Sequence, residues 1–126
     1  MLRRRELGAL LLDLGLVSAG LGCGVAMTVY LVRHAEKQPA HPGAKPDKDP
    51  PLGEVGLLRA RALVPVMANV YLAGVFATQF KRTQQTVEPV AKAKGLTVEV
   101  VDARDTPALA VRIRALSGKA VLVSGH

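Results

Sequence analysis

The chain has 126 residues, of which 49% are hydrophobic and 21% charged, so it fits one globular domain and is too apolar for a disordered polymer. Its formal net charge of +7 attracts anions, but the sign alone does not choose among phosphate esters, nucleic acid and an anionic membrane. Aromatics make up only 3%, and Tyr30, Tyr71, Phe76 and Phe80 read as strand or helix core, so nothing is left to stack bases and no nucleic-acid partner is expected.

Residues 1–26 differ in character from the rest. Arg3, Arg4 and Arg5 precede a mostly apolar run from Leu7 to Ala26, the layout of a secretory signal, with Gly24 and Ala26 as the small residues of a cleavage point. Cleavage before Cys23 would suit a lipid anchor, but Gly20-Leu21-Gly22 fits that box poorly, and Asp13 is costly inside either kind of segment. Export or membrane attachment through residues 1–26 is the expectation. The alternative is a cytoplasmic protein whose true start is Met27. Cys23 is the only cysteine, which excludes an intrachain disulfide and any multi-cysteine metal site.

From residue 27 to 126, short β-branched runs alternate with helical stretches. Thr28 to Val32 predicts a buried strand, apolar almost throughout. Glu54 to about Val70 predicts a helix with Leu57, Leu58, Ala62 and Val66 near one face and a kink at Pro65. Gly74 to Thr78 is the second strand, and Arg82 to Lys94 the second helix, interrupted at Pro89 and ended by Gly95. Thr97 to Val101 is the third strand. Thr106 as N-cap and Pro107 at the first helical position open a third helix, which Gly118 closes before the last strand, Ala120 to Ser124. Between His34 and the first helix, residues 37–51 form a proline-rich loop that could lend Lys37 or Lys45 to an anionic substrate.

This alternation predicts an α/β fold, mainly a parallel sheet with helices on both faces. Ligands of such sheets bind at the carboxyl ends of the strands. Those ends carry Arg33 and His34, then Thr78, Lys81 and Arg82, then Asp102 and Asp105, and finally His126. Arginine presents a planar, permanently charged fork that matches phosphate oxygens. A neutral histidine can accept a phosphoryl group and pass it to water, a protonated second histidine adds positive charge, and a carboxylic acid can protonate the leaving oxygen.

Four segments in chain order strengthen that reading: Thr28 to Lys37 around Arg33-His34-Ala35-Glu36-Lys37, Pro50 to Gly56, Thr78 to Thr86 around Arg82, and Val121 to His126. Together they resemble the histidine phosphatase (phosphoglycerate mutase-like) superfamily. The resemblance implies that His34 becomes phosphorylated, that Arg33, Arg82 and His126 hold the phosphate, and that neither metal nor organic cofactor is needed. It implies phosphate monoester hydrolysis on a small phosphorylated substrate or a phosphoprotein, and leaves the oligomeric state open. Ala35 stands where glycine is commoner, Gly53 where threonine is usual, and the usual acidic glutamate has no clear counterpart. Asp105 is the candidate acid, with Asp102 beside it, although either could cap the following helix.

The superfamily also implies a further helix and strand after the second histidine. The expectation is therefore a C-terminally incomplete domain, poorly active and marginally stable in this length. Two rivals remain at this point. A metal-dependent hydrolase using His34, His126 and carboxylates is disfavoured because Arg33 and Arg82 would repel a cation. A non-catalytic phosphate-binding or degenerate module of the same fold would bind anions without turnover.

Overall fold

A computed structural model describes residues 26–126. The signal-like segment expected over residues 1–26 therefore lies outside the described residues, Ala26 excepted. Among the described residues no helix is long and apolar enough to cross a membrane.

Four strands form one parallel sheet: β1 (Thr28–Arg33), β2 (Leu72–Ala77), β3 (Val98–Val100) and β4 (Ala120–Gly125), in the spatial order β1-β4-β2-β3. Side chains alternate across each strand, so neighbours in sequence serve opposite cores. Val75, Ala77 and Leu122 pack with Val87, Val90 and Ala91 of helix α2 (Lys81–Ala93) and with Leu63 and Val64 of α1 (Glu54–Val66). On the other face, Phe76, Val121 and Val123 meet Ala108, Leu109 and Ile113 of α3 (Thr106–Arg114). Helices thus cover both faces, as the alternation predicts.

Several expectations need correction. Among the described residues β1 is an edge strand rather than a buried one, with Val29 40% and Leu31 69% exposed, because β4 inserts between β1 and β2 and leaves β1 one neighbour. The helix expected to reach Val70 ends at Val66, with Pro65 in its last turn and Met67 as its C-cap. Its inward face is also different: Gly56 and Ala60 are buried, while Leu57, Leu58 and Val66 are exposed. Tyr71 is not core either, being 84% exposed.

The second helix runs through Pro89 without interruption, since Thr83, Thr86, Val87, Val90 and Ala91 bury on both sides of it. As expected, Gly95 ends it. Its φ of +67° permits the paired bonds Leu96 N–H to Ala91 O at 2.8 Å and Gly95 N–H to Lys92 O at 3.2 Å. At the third helix the N-cap is Asp105, not Thr106: its carboxylate accepts the Ala108 amide at 3.0 Å. That helix ends at Arg114, with Gly118 (φ +84°) serving the turn into β4 rather than the cap.

Gly56 lets the first helix approach the segment after β1. A Cβ there would overlap the Glu36 carbonyl oxygen, which already accepts the Gly53 amide at 2.9 Å. Alanine is the better helix former by about 1 kcal/mol, so the sign of Gly56→Ala is decided by this contact. We expect a loss of about 1–3 kcal/mol from overpacking, read from the urea midpoint. A gain would mean that the 36–38 segment yields freely.

Candidate active site

The carboxyl edge of the sheet gathers side chains from β1, β4 and β2. His34 follows β1 directly, and its amide donates to Gly125 O at 3.0 Å, continuing the ladder between β1 and β4. Its ring Nδ1 lies 2.8 Å from Ala35 O. A carbonyl oxygen can only accept, so Nδ1 is the protonated nitrogen here, and in the neutral ring the lone pair is on Nε2. The next amide, Ala35 N–H, donates to the buried Thr86 Oγ1 at 2.9 Å, and the Thr86 hydroxyl donates to Arg82 O at 2.7 Å.

His126 follows β4, and its ring centroid lies 5.5 Å from that of His34 and 5.1 Å from Phe80, edge-on in both cases. Its Nε2 is 3.4 Å from Thr78 Oγ1, which in turn is 2.7 Å from Thr83 Oγ1, and Thr83 Oγ1 donates to Phe80 O at 2.8 Å.

Arg82, in the first turn of α2, lies over the Phe80 ring at 4.7 Å. Its side chain is only 14% exposed, 3.9 Å from Asp49, and its Nε has no hydrogen-bond partner among the described residues. A buried unpaired donor costs roughly 1–3 kcal/mol, which an anionic oxygen against this guanidinium would recover. Asp49 also accepts the Lys81 amide at 2.9 Å, so the proline-rich loop caps α2 from a distance. Burial pushes the His126 imidazole below its ordinary range, and the charges of Arg82, His34 and Arg33 push it further the same way. That crowding of positive charge on one edge is the electrostatic profile of an oxyanion site.

Arg33 and Arg82 do not follow adjacent strands: β4 separates β1 from β2, so His126 arrives between them. Asp105 and Asp102 follow β3, at the far edge, roughly 14 Å from the β1 end by strand spacing. Both line a cavity of about 60 Å³ shared with Thr78 and Ser124. Arg104 chelates Asp102 at 3.0 and 3.1 Å and holds its carboxyl below the usual range. Asp105 spends Oδ1 on the helix cap, and among the described residues no hydrogen bond joins it to either histidine.

Sequence reasoning missed Phe80, Thr86 and Asp49. Phe80 read as core, yet it stands half-buried between Arg82 and His126. Thr86 carries no signal in an apolar pattern, because its value lies in one hydroxyl that bonds two segments of the chain. The spacing Arg82-x-x-x-Thr86, one helical turn, is the hint that was available. Among the described residues no three His, Cys, Asp or Glu side chains gather in a metal-ligating group.

The family model of the histidine phosphatase superfamily (branch 1) matches residues 29–104, more than half of the chain. No curated protein matches by sequence. Among solved structures, one described as a candidate phosphohistidine phosphatase, SixA from Agrobacterium tumefaciens, is 24% identical with a TM-score of 0.61, over 78% of this chain and 68% of that one. The protein histidine phosphatase SixA in complex with tungstate is 25% identical with a TM-score of 0.61 over the same shares, 78% and 68%. A candidate alpha-ribazole-5'-P phosphatase from Escherichia coli K-12 substr. MG1655 is 18% identical with a TM-score of 0.62, over 80% and 74%. At under 25% identity, the first and the last of these show a shared fold alone.

The depressed His126 value has a consequence in each direction. A histidine whose folded value is lowered contributes stability above about pH 6.5 and loses it as pH falls below that point, because the unfolded chain then binds the proton more readily. Tungstate placed against Arg33 and Arg82 would offset their charge. We expect the His126 ring resonance to titrate below pH 6.5 in the free protein and higher with tungstate present. An unchanged midpoint would remove the arginines as its cause.

Proposed function

Because the chain belongs to the histidine phosphatase superfamily, we propose that it hydrolyses phosphate monoesters through a phosphohistidine on His34. The observation that carries this reading is the bond from His34 Nδ1 to Ala35 O at 2.8 Å, which orients the ring and makes Nε2 the nitrogen that attacks from the neutral form. Nε2 attacks phosphorus, and the P–O bond to the leaving group breaks as the N–P bond forms. Arg33, Arg82 and His126 bind the phosphoryl oxygens, whose charge redistributes through the transition state. Water then attacks phosphorus, the N–P bond breaks, and inorganic phosphate leaves.

The first step needs a proton on the departing oxygen, and the second needs one removed from water. We assign both to Asp105. Of the two carboxylates lining the small cavity beside Thr78, Asp102 is chelated by Arg104, whereas Asp105 makes only the Ala108 cap bond; in this role its carboxyl must close the roughly 14 Å between the β3 and β1 ends. The substrate is a small phosphorylated compound or a phosphoprotein. The likeness to the tungstate-bound protein histidine phosphatase supports keeping the second class in view.

Two variants test the scheme. With p-nitrophenyl phosphate, His34→Ala should lower turnover at least 10³-fold and abolish acid-labile phosphate on the protein; persisting turnover would refute the nucleophile. Asn caps helices about as well as Asp, so Asp105→Asn keeps the fold while removing the acid. Its turnover should fall about 10²-fold on alkyl phosphates and less on p-nitrophenyl phosphate, whose leaving group needs little protonation. Equal losses on both would take the proton role from Asp105. Tight tungstate binding without turnover in the unaltered chain would favour the non-catalytic module.

A further inference from the structure

We infer that the proline-rich loop after His34 forms a second anion site, set by Lys37 and Lys45, which selects substrates bearing a carboxylate or second phosphate near the reacting phosphoryl group. The inference rests on reading the His34 edge as the phosphoryl site.

The loop is closed at its base. Gln38 N–H donates to Pro51 O at 2.8 Å, and Lys37 pairs with Leu52 in an isolated antiparallel bridge. Inside it, Ala44 N–H donates to His41 O at 3.1 Å beside Gly43 at φ +79°, and Asp49 N–H donates to Asp47 Oδ1 at 2.9 Å. Pro39, Pro42, Pro46, Pro50 and Pro51 restrict the backbone further. A loop so constrained loses little entropy on binding.

Its closure encloses a cavity of about 290 Å³ lined by Lys37, His41, Lys45 and Asp47 together with prolines. That volume is near the lower end for ligand pockets and has room for one anionic group with the carbons attached to it. Lys37 also lines the open cleft that holds Arg33 and His34, so the cavity and the cleft share a wall. Lys37 lies three positions after His34, which limits their Cα atoms to about 10 Å apart. A second anionic group a few bonds from phosphorus can therefore meet the Lys37 ammonium while His34 faces the phosphoryl group.

Charge points the same way. Among the described residues the ion pairs are Arg59 with Glu36, Arg82 with Asp49, Arg104 with Asp102 and Arg112 with Glu99. Neither Lys37 nor Lys45 shares in these pairs. Asp47 keeps its charge while accepting the Asp49 amide, so the lining sets two lysines against one carboxylate and remains net positive. Lysine acts as a compact point charge, so this site would select charge rather than a particular shape.

The test compares methylphosphonate with 3-phosphonopropionate, which adds a carboxylate and cannot be hydrolysed, by calorimetric titration of the full chain. The bis-anion should bind at least tenfold more tightly. Lys45→Gln should reduce that preference to threefold or less. Lys48→Gln, which removes the same charge from the same loop outside the cavity, should preserve it. Equal affinities in the unaltered protein, or equal effects of the two variants, would overturn the inference. Loss of ester turnover with the preference intact would count against the proposed function alone, not against the second anion site.

Discussion

One hydroxyl ties the two halves of the site together. Thr86 Oγ1 accepts the amide of Ala35, the residue after the candidate nucleophile, and donates to the carbonyl of Arg82, one turn earlier on its own helix. The orientation of His34 and the position of the Arg82 guanidinium thus share a single buried atom. A loop residue could have sought the Ala35 amide a partner in water, with no fixed geometry. A side chain that is 4% exposed and bonded on both sides cannot swing, so the Arg33-His34-Ala35 turn is fixed against the α2 helix.

Around that link the fold does a few specific things. β4 enters between β1 and β2 and brings His126 into the gap between the arginines. Gly56 lets the first helix press on the Glu36 backbone, while the Glu36 side chain pairs with Arg59 of the same helix at 2.7 Å. Asp49 reaches back from the loop to the amide of Lys81. Gln85 does the reverse, accepting the Leu52 amide at 2.8 Å. The segment after His34 is therefore held from two helices at once.

Much of this was legible before any coordinates. Parallel strands put their carboxyl ends on one edge, so locating four strands was enough to collect Arg33, His34, Arg82 and His126 there. The inward face of α1 was not legible, because contact there is made by small residues. Gly56 and Ala60 permit close approach, whereas Leu57, Leu58 and Val66, which dominate any apolar pattern, point outward. The edge position of β1 was hidden for another reason: strand order depends on pairing across the whole chain, and Thr28 to Arg33 is as apolar as a central strand. Asp105 and Thr106 are adjacent capping types, and only the observed amide contact separates them.

The placement of β4 also governs when the site can exist. Its partners, β1 and β2, precede it in the chain by a long interval, and the contacts between them are among the most distant in sequence. Pairings of that kind form late, since the intervening loop must close first. On the ribosome, β1, α1, β2 and α2 emerge before β4, and until β4 enters the slot β1 has no strand to pair with among the described residues and the His34 amide has no Gly125 carbonyl to bond. One late pairing therefore sets the position of His34 and delivers His126 beside it in the same step.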